Sequence, residues 1–248
     1  MKLKTLHIAA FALNAALYVA LGILVSTILP LNFGGVRFWP QVIIPAVFAA
    51  VFGPWVGGLG AAVGIFISDI ALGGSAVLSL MAGVTSNFLG FWLLGYIAGK
   101  KINPQKSSLV YGALTAVAAV VAYVYTNLSA RPISVGIIIV CYAVFLVIVW
   151  IRKKWASYEL GSVVGLLVGS LIIGVMVPVY AVLFAPESTV FPGLTDAGVF
   201  ALFTWTFVTE IPFMLALGPP IIEAINKAFP TLMKSSSENR VKPSEANS

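Results

Sequence analysis

The 248-residue chain is 60% hydrophobic and only 9% charged, against about 25% charged residues in an average soluble domain. A water-soluble fold of this composition would expose large apolar patches, so the class is an integral membrane protein. The net charge of +6 comes from basic residues set between apolar runs, so membrane topology accounts for it better than nucleic-acid binding does.

Eight apolar segments fall at about 6–29, 38–53, 55–72, 77–99, 108–126, 133–151, 159–184 and 197–222. They lack period-two alternation and predict helices, not barrel strands. The first has a basic start, Lys2 and Lys4, and about 22 apolar residues with no small-x-small cleavage site before polar sequence. That reads as a transmembrane helix and not as a signal peptide. His7, at its start, is expected at the interface. The second segment is short and holds Pro45; it either crosses at a thin point or pairs with the third as a re-entrant hairpin. Between the first two lies Leu31–Gln41, LNFGGVRFWPQ, a poor helix and a poor strand. It is either an interfacial anchor or a mobile lid over a pocket. Residues 184–198 form the longest loop on the same side, and residues 1–228 read as one transmembrane domain. The Ser-rich segment 229–248 is expected to be a disordered cytoplasmic tail.

An alternating path with a cytoplasmic N-terminus places Lys2 and Lys4, then Lys100, Lys101 and Lys106, on the inner side. Arg152, Lys153 and Lys154 follow there, as do Lys227, Lys234, Arg240 and Lys242: twelve of the fourteen basic residues. Only Arg37 and Arg131 fall outside. This bias predicts a multi-pass protein of the cell membrane with both termini in the cytoplasm.

Candidate functional residues are few. Ala12, Ala16 and Ala20 repeat at spacing four and leave a flat helix face, suited to internal packing or to another membrane subunit. Asp69 lies about 14 residues past the Gly53-Pro54-Trp55 turn, roughly 21 Å along a helix and in its outer third. It is either a ligand contact or a helix-end acid paired with Arg37 or Arg131. Asn87 falls near mid-depth. Glu210 lies about 13 residues into the last helix, roughly 20 Å deep and just before Pro212, which can bend that helix. It is either a ligand contact, or a buried acid paired internally or kept protonated. Phe38, Trp39, Tyr123, Tyr125 and Trp205 are aromatics of the outer half, fit for an interfacial belt or for stacking on a flat heterocycle.

No phosphate-binding G-x-x-x-x-G-K-[ST] occurs, so ATP binding through such a loop is not expected. No H-E-x-x-H, nucleophile elbow or acid/base set appears, and an enzyme is the weakest reading. Cys141 stands alone, and neither a metal site nor a resident cofactor is expected. Asn127-Leu128-Ser129 matches the glycosylation triplet, a frequent chance match. No matching pair of broken helices marks an inverted repeat.

The stretches ALYVALGILVS, GGVRFWPQVIIPAVFAAVFGPWVGGLGAAVGIFISDI and GVTSNFLGFWLLGYIAGK together resemble the substrate-binding S component of energy-coupling factor (ECF) transporters. The resemblance covers about residues 10–100. It implies an all-α bundle of six spans, with segments 108–126 and 133–151 as an inserted hairpin. It implies capture of a vitamin or related micronutrient from outside, under a lid formed by the first outer loop. Its partners would be a transmembrane coupling subunit, met through Ala12, Ala16 and Ala20, and two ATPase subunits. The expected ligand is a flat heterocycle such as riboflavin or another vitamin, touched by Arg37, Phe38, Trp39, Asp69, Asn87, Trp205 and Glu210. A self-standing secondary transporter or channel is the alternative, with Asp69, Asn87 and Glu210 as ion-coupling groups.

Overall fold

The computed structural model describes residues 5–125, 131–151 and 153–230. The described residues form eight helices: α1 (Thr5–Ile28), α2 (Ile43–Phe52), α3 (Pro54–Ala71), α4 (Ala76–Ala98), α5 (Pro104–Tyr125), α6 (Arg131–Ile151), α7 (Ala156–Phe184) and α8 (Asp196–Ala228). Five of them, α1, α3, α4, α7 and α8, are long and apolar enough to cross a membrane. With its leading 3₁₀ turn, α2 runs Pro40–Phe52, roughly 20 Å at 1.5 Å per residue. A hydrocarbon core is about 30 Å thick, so α2 is too short to cross it unaided. It meets α3 at Gly53-Pro54, where proline fills the first turn of α3 and forfeits only an N–H that has no partner in the helix.

The glycosylation triplet, the tail from residue 231 and the side chain of Arg131 lie outside the described residues. The eight apolar segments reappear as eight helices. Helix α5, of 22 residues, and helix α6, of 21 residues, are each as long as a membrane-crossing helix. These two helices pack mainly on each other. Among the described residues they join the main core at one end, through Tyr111, Phe145 and Val149 and a hydrogen bond from Ser107 Oγ to the Ala156 carbonyl (3.1 Å). Farther along, Val117, Val120 and Val140 are exposed. The hairpin is thus peripheral to the bundle of α1–α4, α7 and α8.

Small residues bring the main helices together, as expected where lipid tails give apolar side chains little reason to cluster. Helices α4 and α7 make the most extensive contact. A Cβ on Gly90 would come within 2.9 Å of the Gly165 carbonyl oxygen, so the two backbones nearly touch. Helix α1 is held to α3 by Asn14, which is fully buried and donates to the carbonyls of Val56 (3.0 Å) and Gly57 (3.3 Å).

The all-α expectation needs one local correction. Asn32–Phe33 and Val36–Arg37 form a two-stranded antiparallel hairpin, with Asn32 opposite Arg37 and Phe33 opposite Val36. Its two-residue turn is Gly34-Gly35, at φ +58° and +80°. Two consecutive positive φ values match the twist that a two-residue hairpin loop requires, and glycine adopts them without strain. The glycines that weaken a strand in LNFGGVRFWPQ are the ones that make its turn.

Candidate functional site

A cavity lies inside the bundle towards the hairpin end. Tyr18 of α1, Trp39 after the hairpin, Asn87 and Phe91 of α4, Gly169 of α7 and Glu210 of α8 are among its walls. Its water-accessible space is about 40 Å³, enough for two or three waters. Sites for small organic ligands occupy about 300–1,000 Å³, so this space is smaller than such a ligand needs.

Each wall residue is placed by local structure. Tyr18 is fully buried, meets Trp39 edge-on (6.1 Å between centroids) and Phe91 likewise (6.4 Å). Its hydroxyl donates to Asn87 Oδ1 at 2.6 Å, and Asn87 Nδ2 donates to the Gly83 carbonyl at 2.9 Å. Gly83 belongs to a π-helical turn, Ser79–Val84, inside α4. Such turns insert an extra residue, shift the helix face and recur at functional sites. Trp39 is buried with its indole Nε1 lacking a protein acceptor. Glu210 is 6% exposed, and its carboxyl has no hydrogen-bond or ion-pair partner among the described residues. A buried donor and a buried acid, both without protein partners and on one cavity, are groups a polar ligand can satisfy.

The hairpin is fastened to the bundle just before Trp39. Trp205 Nε1 donates to the Val36 carbonyl (3.1 Å), and its ring packs on Phe33 at 5.8 Å. Gly34 and Gly35 rest so closely on Pro192 and Phe191 of the loop before α8 that a Cβ on either would collide. Arg37 Nη1 binds Asp69 Oδ1 at 2.9 Å; Asp69 Oδ2 accepts from Ser79 Oγ at 2.7 Å. Hairpin, α3 and the π-helical turn are thus joined by one polar chain. Beneath it Ala82, Val177 and Leu202 form a small apolar cluster with Val36 and Phe191.

Of the seven residues expected at a ligand, Trp39, Asn87 and Glu210 reach the cavity. Arg37, Phe38, Asp69 and Trp205 do not line it: Phe38 packs on Phe213 (5.9 Å), and the other three fasten the hairpin. For Asp69 the structure takes the ion-pair alternative, with Arg37. Tyr18, Phe91 and the π-helical turn went unnoticed in the sequence. A tyrosine on an apolar helix carries no signal of its partner, and a π turn arises from packing. Gln41 is also buried, its amide lacking a protein partner. Ala12, Ala16 and Ala20 are exposed on α1, so no described helix covers that face. No group of three metal-ligating side chains occurs among the described residues.

Fold and cavity together define a polytopic helical membrane protein with an internal cavity near a strapped loop, a build that suits a membrane substrate-binding subunit. The family model of the ECF-type riboflavin transporter, S component, matches residues 2–176, more than two thirds of the chain, and the chain belongs to that family. No curated protein and no solved structure matches it significantly. The family consists of substrate-binding subunits of transporters, not of enzymes.

Proposed function

We propose that this chain captures riboflavin, or a closely similar flat heterocycle, from the outer side of the cell membrane, and passes it inward while docked on a transmembrane coupling subunit driven by two ATPases. The observation that carries the reading is the convergence of Trp39, Tyr18, Phe91, Asn87 and the unpartnered Glu210 carboxyl on one cavity. Aromatic rings stack on a flat ring system. Asn87 and Glu210 suit its polar edge or the hydroxyls of a sugar-alcohol side chain, since an isoalloxazine carries an imide N–H between two carbonyls and a ribityl chain supplies donors.

Capture requires opening, because the present space is far smaller than the ligand. The Arg37–Asp69 pair and the Trp205–Val36 bond are the latches that open and re-form over bound ligand. Arg37, Phe38, Asp69 and Trp205 therefore act on retention, and Trp39, Asn87 and Glu210 on affinity. The exposed Ala12, Ala16 and Ala20 form the flat face for the coupling subunit. The basic helix ends face the cytoplasm, as the positive-inside bias requires.

The test is a titration of riboflavin fluorescence with the purified chain, joined to mass spectrometry of whatever small molecule co-purifies. Saturable quenching, with riboflavin or a flavin released on denaturation, supports the reading. A co-purified ligand without a flat ring system, or riboflavin uptake into liposomes by the purified chain without ATPases, would overturn it.

A further inference from the structure

A second cavity, of about 470 Å³, opens at the opposite end of the bundle. Two lysine pairs far apart in sequence meet around it: Lys100 and Lys101 after α4, and Lys153 and Lys154 before α7. Their segments are tied together where Ile102 N donates to the Ser157 side chain, Oγ, at 3.0 Å. Four like charges around one opening repel unless an anion joins them. Internal compensation is partial. Lys154 binds Glu223 at 3.1 Å, but Glu223 is also shared with Lys227 at 3.7 Å. Lys100 lies over the Tyr96 ring at 4.5 Å. Among the described residues, no acid pairs with Lys101 or Lys153. The first turn of α7 forms part of the wall; its N-cap, Trp155, provides no side-chain cap, and the buried Glu159 lies in that turn. Ala50, Ala98 and Ile222 give the wall an apolar part, beside the polar Asn103, Ser157 and Tyr158.

We infer that this cavity binds the phosphate of an anionic phospholipid headgroup from the adjoining leaflet. Lysines supply the charge, and the apolar part of the wall accepts the diacylglycerol end that a free phosphate lacks. The site lies at the level where helix ends meet headgroups, where basic pockets between membrane helices hold such lipids. It is separate from the ligand cavity and does not rest on the ligand's identity.

Native mass spectrometry of the full-length chain in neutral detergent, titrated with phosphatidylglycerol or phosphatidylcholine of the same acyl chains, tests this. Wild type is expected to retain phosphatidylglycerol at least tenfold better. Lys101→Gln and Lys153→Gln, at exposed positions without partners, are each expected to weaken that retention roughly fivefold. The Lys→Arg variants restore it, and Lys106→Gln, outside the cavity, leaves it unchanged. Equal retention of the two lipids, or retention indifferent to Lys101→Gln and Lys153→Gln with unchanged thermal unfolding midpoints, overturns the inference. Lysine-dependent displacement of the lipid by millimolar inorganic phosphate overturns the lipid assignment in favour of a soluble phosphate site.

Discussion

Glu210 is the residue on which most turns. A carboxyl at this depth is costly to keep, and no described side chain compensates it. Hydrogen bonds to charged groups contribute about 1.5–3 kcal/mol, so Glu210→Ala should raise the riboflavin Kd by at least tenfold in a fluorescence titration. A Kd within twofold of wild type would remove Glu210 from the site. Arg37 acts differently. Arg37→Ala leaves Asp69 half-buried with Ser79 as its remaining partner, a loss of about 1–2 kcal/mol. It should raise the rate of riboflavin release by roughly 5- to 30-fold and barely alter binding-site chemistry. A double-mutant cycle with Asp69→Asn measures this: the two effects should fail to add, because both remove one ion pair. Full additivity would show that the pair is not the latch.

Two helices that touch backbone to backbone set the behaviour of the elements. At the α4–α7 crossing Gly165 faces Gly90, and its α-carbon is on the cavity wall as well. Gly165→Ala forces a methyl group against the Gly90 carbonyl. Overpacking of this kind costs about 1–3 kcal/mol, so the thermal unfolding midpoint should fall and riboflavin affinity with it. An unchanged midpoint would mean that the helices part without cost. The hairpin is the converse case. It is fastened at both ends of its short ladder by side chains, Arg37 to α3 and Trp205 to Val36. The glycine turn, seated on Pro192 and Phe191, couples it to the loop before α8.

At the scale of the whole molecule, the peripheral α5–α6 hairpin is separable from the site. Ile102 and Ser157 already lie side by side, so a short glycine-serine linker can replace residues 104–152. That variant should hold riboflavin within about threefold of wild type. Its thermal midpoint should be lower, because Tyr111, Phe145 and Val149 leave the core and large-to-small core losses cost about 2–5 kcal/mol each. Loss of binding in a folded variant would bring the hairpin into the site. The α1 face makes a further claim: Ala16→Trp, on an exposed flat stripe, should leave riboflavin binding intact and abolish capture of the coupling subunit in a pull-down with the ATPases.

The sequence by itself determined the class, the family and the number of helices. These follow from hydropathy, from the spacing of small residues and from the order of short motifs, all written locally along the chain. It marked Trp39, Asn87 and Glu210 because polar and amphipathic groups in apolar runs are conspicuous. It could not say which of them meet. Tyr18 and Asn87 are 69 residues apart, and only helix packing makes them one hydrogen bond. Packing also assigned Asp69 to Arg37, turned Gly34-Gly35 into a hairpin turn, and brought two lysine pairs to one opening. Local pattern states what each segment prefers, whereas a site is a set of distances between segments, and those are fixed only when the helices close on one another.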